Sequence, residues 1–414
     1  MKKVIISNFC LLLTIAIFAS NIKAQNRLSL DQALEKAYQN NLQLQANELE
    51  YKSAQVKQKS IVALPKTNVN ALLGQMNTIR FDENISISQD IPNQAYFRAQ
   101  REAAGQEAGL VKQQMAINKQ ELGYNLRQSW YQWIYLRELK GVLVREDSLL
   151  QSFAQAAAAK FKAGESRLLE KTSAESRRQQ LLQSIVQVDM LLQVELMKMQ
   201  QYMGLTTAFE PENNPLNPLR FELSDSAALA KHPMLQLIRQ EIALSEANRK
   251  VAETEKLPDF SAGYFIQSLA GPQEINSVMR DFSRLPQFQG VSIGINLPIF
   301  GSKAYKAKQE VFEIQKSAQT KQSENIQWQL QQQLVQALSQ YNFWQQHLNY
   351  YKNTALTNAE SIIQNATKAY RSGEIEYIEY LQALQTGLEI RKGYLDSINN
   401  LNQTVLRMEY LVGK

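Results

Sequence analysis

Apolar residues recur along the chain at two different spacings. Between residues 299 and 414 they follow the helical period, three or four positions apart, with mostly Gln, Asn, Ala, Lys and Glu between them. Residues 93–210 have a similar composition, and neither stretch contains a proline. Because proline disrupts helix interiors, both are predicted to be long amphipathic helices that pack on other helices, one of them uninterrupted over 302–371. Three glycines are candidate breaks in the first stretch: Gly105, Gly109 and Gly123.

Before each of these stretches the period shortens to two, which predicts strands at about 66–76, 81–91, 259–269 and 289–299. Each strand has one apolar face and one face of small or polar residues. Segments of about 9 to 11 residues are long enough to cross a bilayer when tilted. The alternative is a pair of ordinary hairpins packed on the helices. Four strands among long helices leave sheet edges open, so a barrel completed by several copies of the chain is favoured.

The two halves of the chain repeat one another. Residues 25–205 and 223–414 each predict a helix, two strands and a long helical hairpin, and the Pro- and Asn-rich segment 206–222 connects them. An aromatic residue, a basic residue, a small residue, Gly and Glu recur in that order around Gly164 and Gly373. Each phrase lies about 40 residues before the end of its half, which predicts the hairpin turn there.

Residues 1–24 have the layout of a secretory signal peptide, with two lysines followed by an apolar run. The only cysteine, Cys10, lies inside this segment, so a mature chain that begins at Gln25 is expected to have no disulfide and no cysteine-linked lipid anchor. Removal of the three lysines of the segment lowers the net charge from +6 to +3, which is too mild for nucleic-acid binding. No later apolar run reaches the roughly 18 to 20 residues of a transmembrane helix.

Candidate chemistry is sparse. His232 and His347 are the only histidines, and neither has a second ligand at a metal-like spacing. No Gly-rich phosphate loop, nucleophile elbow or His-centred triad occurs. The sequence therefore predicts no catalytic residue, no cofactor and no metal site, and an enzyme is the weakest interpretation. The alternative to a membrane barrel that forms a channel is a periplasmic coiled-coil scaffold or adaptor, with the strands in a small soluble domain.

The order of these elements resembles the TolC-type outer-membrane efflux family. The resemblance spans about residues 28–414 and includes, in each half, a helix, Leu-Pro, a strand pair, Pro and a long helix, together with Asn-Leu-Pro-Ile-Phe-Gly at 296–301 and both aromatic-x-x-Gly-Glu turns. It implies a mainly α protein with a membrane β-barrel. Duplicated helical hairpins would form a periplasmic tunnel, and four strands per chain would contribute to a barrel of about a dozen strands shared by a homotrimer.

The resemblance also implies a location, partners and a function. The protein would lie in the outer membrane, in contact with its lipid, with the helical part in the periplasm. It would pass solutes to the exterior from a periplasmic adaptor and an inner-membrane pump of the resistance-nodulation-division type. No nucleic acid is expected among its partners. The solute stays open, and a heavy-metal or cation efflux component is an alternative to a multidrug one.

The family places both hairpin turns at the periplasmic tip, where its tunnel narrows. Carried over by position, Glu379 and Glu170 correspond to carboxylates that line this entrance, whereas Gln382 departs from the family pattern at the next such position. Like charges in a ring would attract cations. The alternative is that each glutamate only offsets the dipole of its own helix. The expected tip residues and adaptor contacts are Lys162, Gly164, Glu165, Arg167, Arg371, Gly373 and Glu374.

Overall fold

The signal peptide predicted at residues 1–24 lies outside the part of the chain that the structure describes. That part is seen in a computed structural model and comprises residues 26–61, 64–76, 81–222, 228–268, 271–282 and 287–413. The chain divides into two compact units. Among the described residues, the helical unit takes those within Met1–Ala46, Ile117–His232 and Trp328–Lys414, and the sheet unit takes those within Asn47–Ala116 and Pro233–Gln327.

The elements of the first half are, in order, β1 (Asn26–Leu28), α1 (Leu30–Asn40), α2 (Leu42–Ser60), β2 (Asn68–Gly74), β3 (Asp82–Ile91), α3 (Gln94–Lys162), α4 (Leu168–Met203) and β4 (Phe209–Pro211). Those of the second half are α5 (Pro233–Thr254), β5 (Asp259–Ser268), β6 (Gly271–Ile275), β7 (Val278–Phe282), β8 (Gln287–Asn296), α6 (Ser302–Tyr350), α7 (Leu356–Ser372) and α8 (Tyr377–Leu411). A 3₁₀ turn at Ala228–Lys231 precedes α5, and a π-helical turn at Tyr351–Ala355 joins α6 to α7. No helix in the described residues is both long and apolar enough to cross a membrane.

Polar side chains fix the starts of the first two helices. The Ser29 hydroxyl accepts a hydrogen bond from the N–H of Gln32 at 3.3 Å, and the Gln32 side chain accepts one from the N–H of Ser29 at 3.1 Å. This reciprocal capping box begins α1. The Asn41 side chain accepts from the N–H groups of Gln43 and Leu44, at 3.0 and 3.2 Å, and so begins α2 directly after α1 ends.

The four predicted strands form one antiparallel sheet in the order β2-β3-β5-β8. Its register aligns the apolar positions: Val69 is opposite Ile87, Ile87 is opposite Tyr264, and Tyr264 is opposite Val291. Because side chains alternate along a strand, the neighbouring positions lie on the other face. The adjacent row on that face contains small and polar residues: Asn68, Ser88, Gly263 and Ser292.

A separate hairpin lies between β5 and β8 in the chain. Its strands β6 and β7 pair antiparallel, with Ile275 opposite Val278. The two residues between them, Asn276 and Ser277, have φ of +54° and +66°. Two successive positive φ values are what a two-residue type I′ hairpin turn requires.

The three glycines predicted as candidate breaks do not interrupt α3, so that expectation was wrong. A glycine inside a helix is about 1 kcal/mol less favourable than alanine, which packing can outweigh. At each of the three positions the helix is approached by the side chain of another segment, which a Cβ would overlap. The pairs are Gln58 at Gly105, Gln240 at Gly109 and Tyr38 at Gly123.

The helix predicted to run uninterrupted over 302–371 also differs from expectation, because its hydrogen bonding changes to the π pattern at Tyr351–Ala355. Tyr351 lies so close to Gly393 of α8 that a Cβ there would overlap the tyrosine ring. His347, one turn earlier, stacks on Phe343 and meets the Tyr351 ring edge-on, with centroids 5.3 and 5.2 Å apart. Apolar spacing predicts a continuous helix here, but it does not specify how large rings fit against the neighbouring helix.

The helical unit is built on large side chains that are almost completely buried. Trp130 of α3 is 1% exposed, and Met199 of α4 and Leu401 of α8 are fully buried. These residues belong to one continuous apolar cluster. The narrow apolar stripes predicted from the sequence therefore meet along the helices of this unit.

One close approach in this unit gives a test of its packing. Gly387 of α8 lies against Ile363 of α7, where a Cβ would overlap the isoleucine side chain. We expect Gly387→Ala to lower the melting temperature followed by circular dichroism. Overpacking costs about 1–3 kcal/mol, and replacing a helical glycine gains back only roughly 1 kcal/mol.

Gly141→Ala is the matched control, because nothing lies within 4 Å of a Cβ at Gly141 of α3. This variant should melt at the same or a higher temperature. Adding Ile363→Ala to Gly387→Ala should relieve the overlap, so the double variant should be destabilised by less than the sum of the two single variants. Equal melting of Gly387→Ala and Gly141→Ala would contradict the close packing of α7 on α8.

Candidate functional site

The two long helical hairpins turn at Gly164 and Gly373, which have φ of +77° and +78°. This left-handed conformation favours glycine, because a Cβ would crowd the backbone. In both turns the N–H of the residue after the glycine donates to the carbonyl five positions earlier, at 2.9 Å. The repeated Gly-Glu phrase therefore has the same backbone geometry at both places.

Five charged residues of the two turns have exposed and unpaired side chains. All five are exposed, and within the described residues none of their side chains forms an ion pair or a hydrogen bond. They are Lys162, Glu165, Arg167, Arg371 and Glu374. Their charges are therefore available to a partner or to solvent.

Glu170, three residues into the first turn's second helix, is buried and bonded. Glu170 is only 9% exposed, and its Oε1 accepts a hydrogen bond from the Tyr370 hydroxyl at 2.8 Å. This bond joins α4 to α7, and so links the two hairpins. Burial raises the pKa of Tyr370 above its usual value, and the hydrogen bond to Glu170 adds to this effect. The phenol therefore stays a donor at neutral pH.

Aromatic rings surround this bond. Tyr370 stacks on Tyr380 of α8 with centroids 4.9 Å apart and planes 9° from parallel. Phe153 of α3 lies 5.3 Å from both rings, and the Lys160 ammonium lies 4.8 Å above the Tyr370 ring. Side chains from α3 and α8 thus hold Tyr370 in place, with its hydroxyl against Glu170.

Glu379 has different surroundings, although it occupies the same place in the second turn. It is exposed, and Oε2 accepts a hydrogen bond from the N–H of Glu376 at 2.9 Å, which caps the start of α8. Gln382, one turn farther along α8, is also exposed. The two predicted entrance glutamates therefore differ in their surroundings: Glu170 is buried against Tyr370, whereas Glu379 is exposed.

Sequence reasoning missed the Tyr370 to Glu170 link. Tyr370 belongs to the repeated phrase, but the first half has Phe161 at that place, which is exposed and has no hydroxyl. This Tyr-for-Phe difference between the two copies is the signal that could have indicated a polar contact on one side only.

The two histidines are packing residues. His232 is 3% exposed and meets the Tyr410 ring edge-on at 5.8 Å, and burial lowers its pKa. His347 contacts three aromatic rings, and its Nδ1 lies 3.1 Å from the Ser397 hydroxyl. Across the described residues, no group of three or more His, Cys, Asp or Glu side chains is placed to hold a metal ion.

The turns, the long hairpins and the open sheet can be compared with known proteins. A family model described as outer membrane efflux protein matches residues 226–414. These residues belong to the outer membrane efflux protein family. The matched residues include β5, β8 and the hairpin with Gly373 and Glu379. No curated protein sequence matches the chain.

Solved structures of outer-membrane channels share the fold over almost the whole chain. The outer-membrane channel OprN has a TM-score of 0.77 at 15% identity, covering 93% of this chain and 89% of its own. CusC, described in connection with transmembrane channel formation, has 0.76 at 16% identity, covering 92% and 91%. The MtrE channel of Neisseria gonorrhoeae in its open state has 0.73 at 14% identity, covering 93% and 88%. At these identities the similarity establishes the fold alone.

The efflux family match and the shared fold confirm three predictions from the sequence. The protein is mainly helical with the TolC-type arrangement of strands and long hairpins. Its class of function is efflux, and its location is the outer membrane. Both the family and the similar structures are those of channel proteins.

The link between the hairpins gives a prediction. Tyr370→Phe removes the donor from the buried Glu170 carboxyl, so the free energy of unfolding should fall by about 1.5–3 kcal/mol, the range for hydrogen bonds to charged groups. Glu170→Gln keeps an acceptor and should lose less. Thermal or denaturant unfolding followed by circular dichroism measures both.

Tyr377→Phe is the matched control, because the Tyr377 hydroxyl at the start of α8 has no hydrogen-bond partner in the described residues. It should unfold like the parent chain. If Tyr370→Phe were no less stable than Tyr377→Phe, the bond to Glu170 would contribute nothing measurable.

Proposed function

We propose that this chain is the outer-membrane channel of a tripartite efflux system and that it works as a homotrimer. The observation that carries the proposal is the apolar face of the β2-β3-β5-β8 sheet. In the single chain Ile293 is 81% exposed, Val291 74% and Val69 64%. A face of this kind is unfavourable in water and suits the hydrocarbon of a bilayer.

The opposite face of the sheet suits a water-filled interior. Most of its residues are small or polar, such as Ser88, Gly263 and Ser292, and the ring of Phe265 on this face lies against Gly290, 2.6 Å from where a Cβ would be. Transmembrane strands alternate between an apolar outer face and a polar inner face in this way.

The edges of the sheet support assembly from several copies. β2 and β8 are at the two ends of the strand order, and each has one neighbouring strand. Unpaired backbone N–H and C=O groups cost several kcal/mol each in hydrocarbon, so a membrane sheet must close. Pairing β8 of one copy with β2 of the next removes both edges. Three copies would give about a dozen strands, an even number as in known barrels of this kind.

We infer that residues 25–205 and 223–414 are two structural repeats joined by the connector 206–222. Each contributes one strand pair to the sheet, β2-β3 and β5-β8, and one long helical hairpin. The matching φ angles of the two turns support this division. A family model that covers 226–414 then corresponds to the second repeat.

The proposed partners are a periplasmic adaptor and an inner-membrane pump of the resistance-nodulation-division type. The exposed charges of the two turns support contact with the adaptor there, because they have no partner within the described chain. They comprise three basic and two acidic side chains: Lys162, Arg167, Arg371, Glu165 and Glu374. Such a surface would pair with charges of either sign on the adaptor.

Glu379 is the stronger candidate for the channel entrance. Its carboxylate is exposed, and three copies of it would present three negative charges to passing ions. Glu170 has its carboxyl engaged by Tyr370, so in this proposal it holds the two hairpins together. Gln382, exposed one turn beyond Glu379, would supply a neutral ring at the next level.

The faces of the sheet predict opposite outcomes for neighbouring substitutions. Ile293→Lys should prevent stable insertion, because a lysine facing lipid costs about 2–4 kcal/mol per chain near the bilayer centre. Ser292→Lys is adjacent in sequence but lies on the opposite face and should still assemble. Outer-membrane fractionation and heat-modifiable migration of the extracted protein would measure assembly.

If the parent chain were a soluble monomer, the channel proposal would be rejected. If both lysine variants assembled equally well, the assignment of the two faces would be wrong even though the protein was a membrane protein.

The entrance proposal predicts a change in ion selectivity. Glu379→Gln in a reconstituted trimer should lower the preference for cations in bilayer conductance, because three negative charges are lost while an acceptor for the Glu376 N–H remains. Glu170→Gln is the control and should leave selectivity unchanged. Equal selectivity of the parent and Glu379→Gln channels would leave Glu379 with a capping role only.

A further inference from the structure

A cavity of about 450 Å³ lies among α3, α4 and α8 in the helical unit. Its volume is within the range of about 300–1,000 Å³ typical of sites for small organic molecules. None of the turn residues lines it. The apolar part of its wall includes two side chains from each of the three helices: Leu139, Leu143, Leu181, Val188, Leu384 and Leu388.

Glu146 of α3 also lines this cavity and is only 2% exposed. Its Oε2 atom is buried and has no hydrogen-bond partner in the described structure. A buried carboxyl oxygen without a donor is unfavourable by roughly 1–3 kcal/mol or more. Buried polar groups are nearly always hydrogen-bonded in native proteins, so this exception calls for a reason.

The other buried glutamates of the helical unit do have donors. Glu170 accepts a hydrogen bond from Tyr370 at 2.8 Å, and Glu195 accepts one from the Lys198 ammonium at 2.8 Å. The unit therefore satisfies two of its buried acids internally, whereas Oε2 of Glu146, which lines the cavity, has no hydrogen-bond donor in the described structure.

Basic side chains lie near Glu146 without satisfying it. Arg177 and Lys392 line the same cavity, but Arg177 donates to Gln180 at 3.4 Å and Lys392 is exposed. Burial raises the pKa of Glu146 to about 7, although Arg391 and Arg177 oppose this electrostatically. The carboxyl is therefore ready to change its charge near neutral pH when a cation approaches.

We propose that this cavity binds amphipathic amines, with the ammonium group at Glu146 and the apolar body of the amine against the apolar side chains of the cavity wall. An ammonium N–H supplies the donor that Oε2 lacks, and an aliphatic or aromatic body fills space lined by leucines. An anion would meet Arg177 and Lys392 but would leave Glu146 unsatisfied. The site lies within one chain, so it stands whether or not three chains form a channel.

Three probes that share one ring system test the proposal on the purified full-length protein. They are 1-naphthylmethylamine, its neutral analogue 1-naphthalenemethanol and the anion 1-naphthoate, each titrated by calorimetry in a non-ionic detergent. The amine should bind at one site per chain and at least tenfold more tightly than the alcohol. Equal affinity of the amine and the alcohol, or tighter binding of the naphthoate, would overturn the proposal.

Two variants test whether the Glu146 carboxyl itself binds the amine. Glu146→Gln should weaken binding of the amine at least tenfold and leave binding of the alcohol unchanged. Glu138→Gln is the matched control on the same helix, since Glu138 pairs with Arg137 at 2.9 Å and does not line the cavity. It should bind the amine like the parent. Unchanged amine affinity in Glu146→Gln would overturn the assignment, and a melting curve of each variant shows whether it is folded.

The dependence on pH provides a second readout. A cationic amine requires the carboxylate form, so its affinity should rise with pH through about 7 and be about 30-fold higher at pH 8 than at pH 5.5. Arginine and lysine side chains keep their charge over this range. Tyr135, which also lines the cavity, stays protonated because burial and its bond to Asp396 raise its pKa. A pH-independent affinity in the parent, or the same pH dependence in Glu146→Gln, would refute the role of Glu146.

Discussion

Backbone hydrogen bonding at the edges of one small sheet constrains the rest of this molecule. β2 and β8 each have a row of N–H and C=O groups with no neighbouring strand in the described chain, and the same sheet exposes an apolar face. Water would tolerate the edges but not the face, and lipid would tolerate the face but not the edges. The proposed assembly meets both demands together, because copies of the chain would join edge to edge. In that assembly the two strand pairs, β2-β3 and β5-β8, together supply the width that one pair lacks.

The two helical turns share one backbone conformation but differ in their side-chain contacts. Glu170 and Glu379 occupy the same position after equivalent glycines, yet one is buried against Tyr370 and the other is exposed. The cause lies in the partner helix, since Tyr370 presents a hydroxyl where its counterpart Phe161 cannot. The same turn can therefore carry a structural link in one hairpin and an open carboxylate in the other.

The sequence predicted the strands and turns well because their signals are local. Alternation marks a two-faced strand, and glycine, as at Gly373, is favoured where a helix ends in a left-handed turn. Features that depend on neighbouring helices were missed. The glycines of α3 looked like breaks but fit approaching side chains, and the π turn at Tyr351–Ala355 accompanies rings packed against α8. Glu146 resembles any other glutamate of a long helix until the packing shows that no donor reaches it.

The two interpretations of Glu379 do not exclude one another. A carboxylate has two oxygens with about four acceptor positions, and the bond from the Glu376 N–H occupies one of them at Oε2. The remaining acceptor positions stay open to water or ions, because the side chain is exposed. Capping also restricts the rotamers of the side chain, which holds the charge at a defined place beside the turn. The capping bond would thus hold the proposed entrance charge of Glu379 in a defined position, so the structural role is compatible with the proposed role at the entrance.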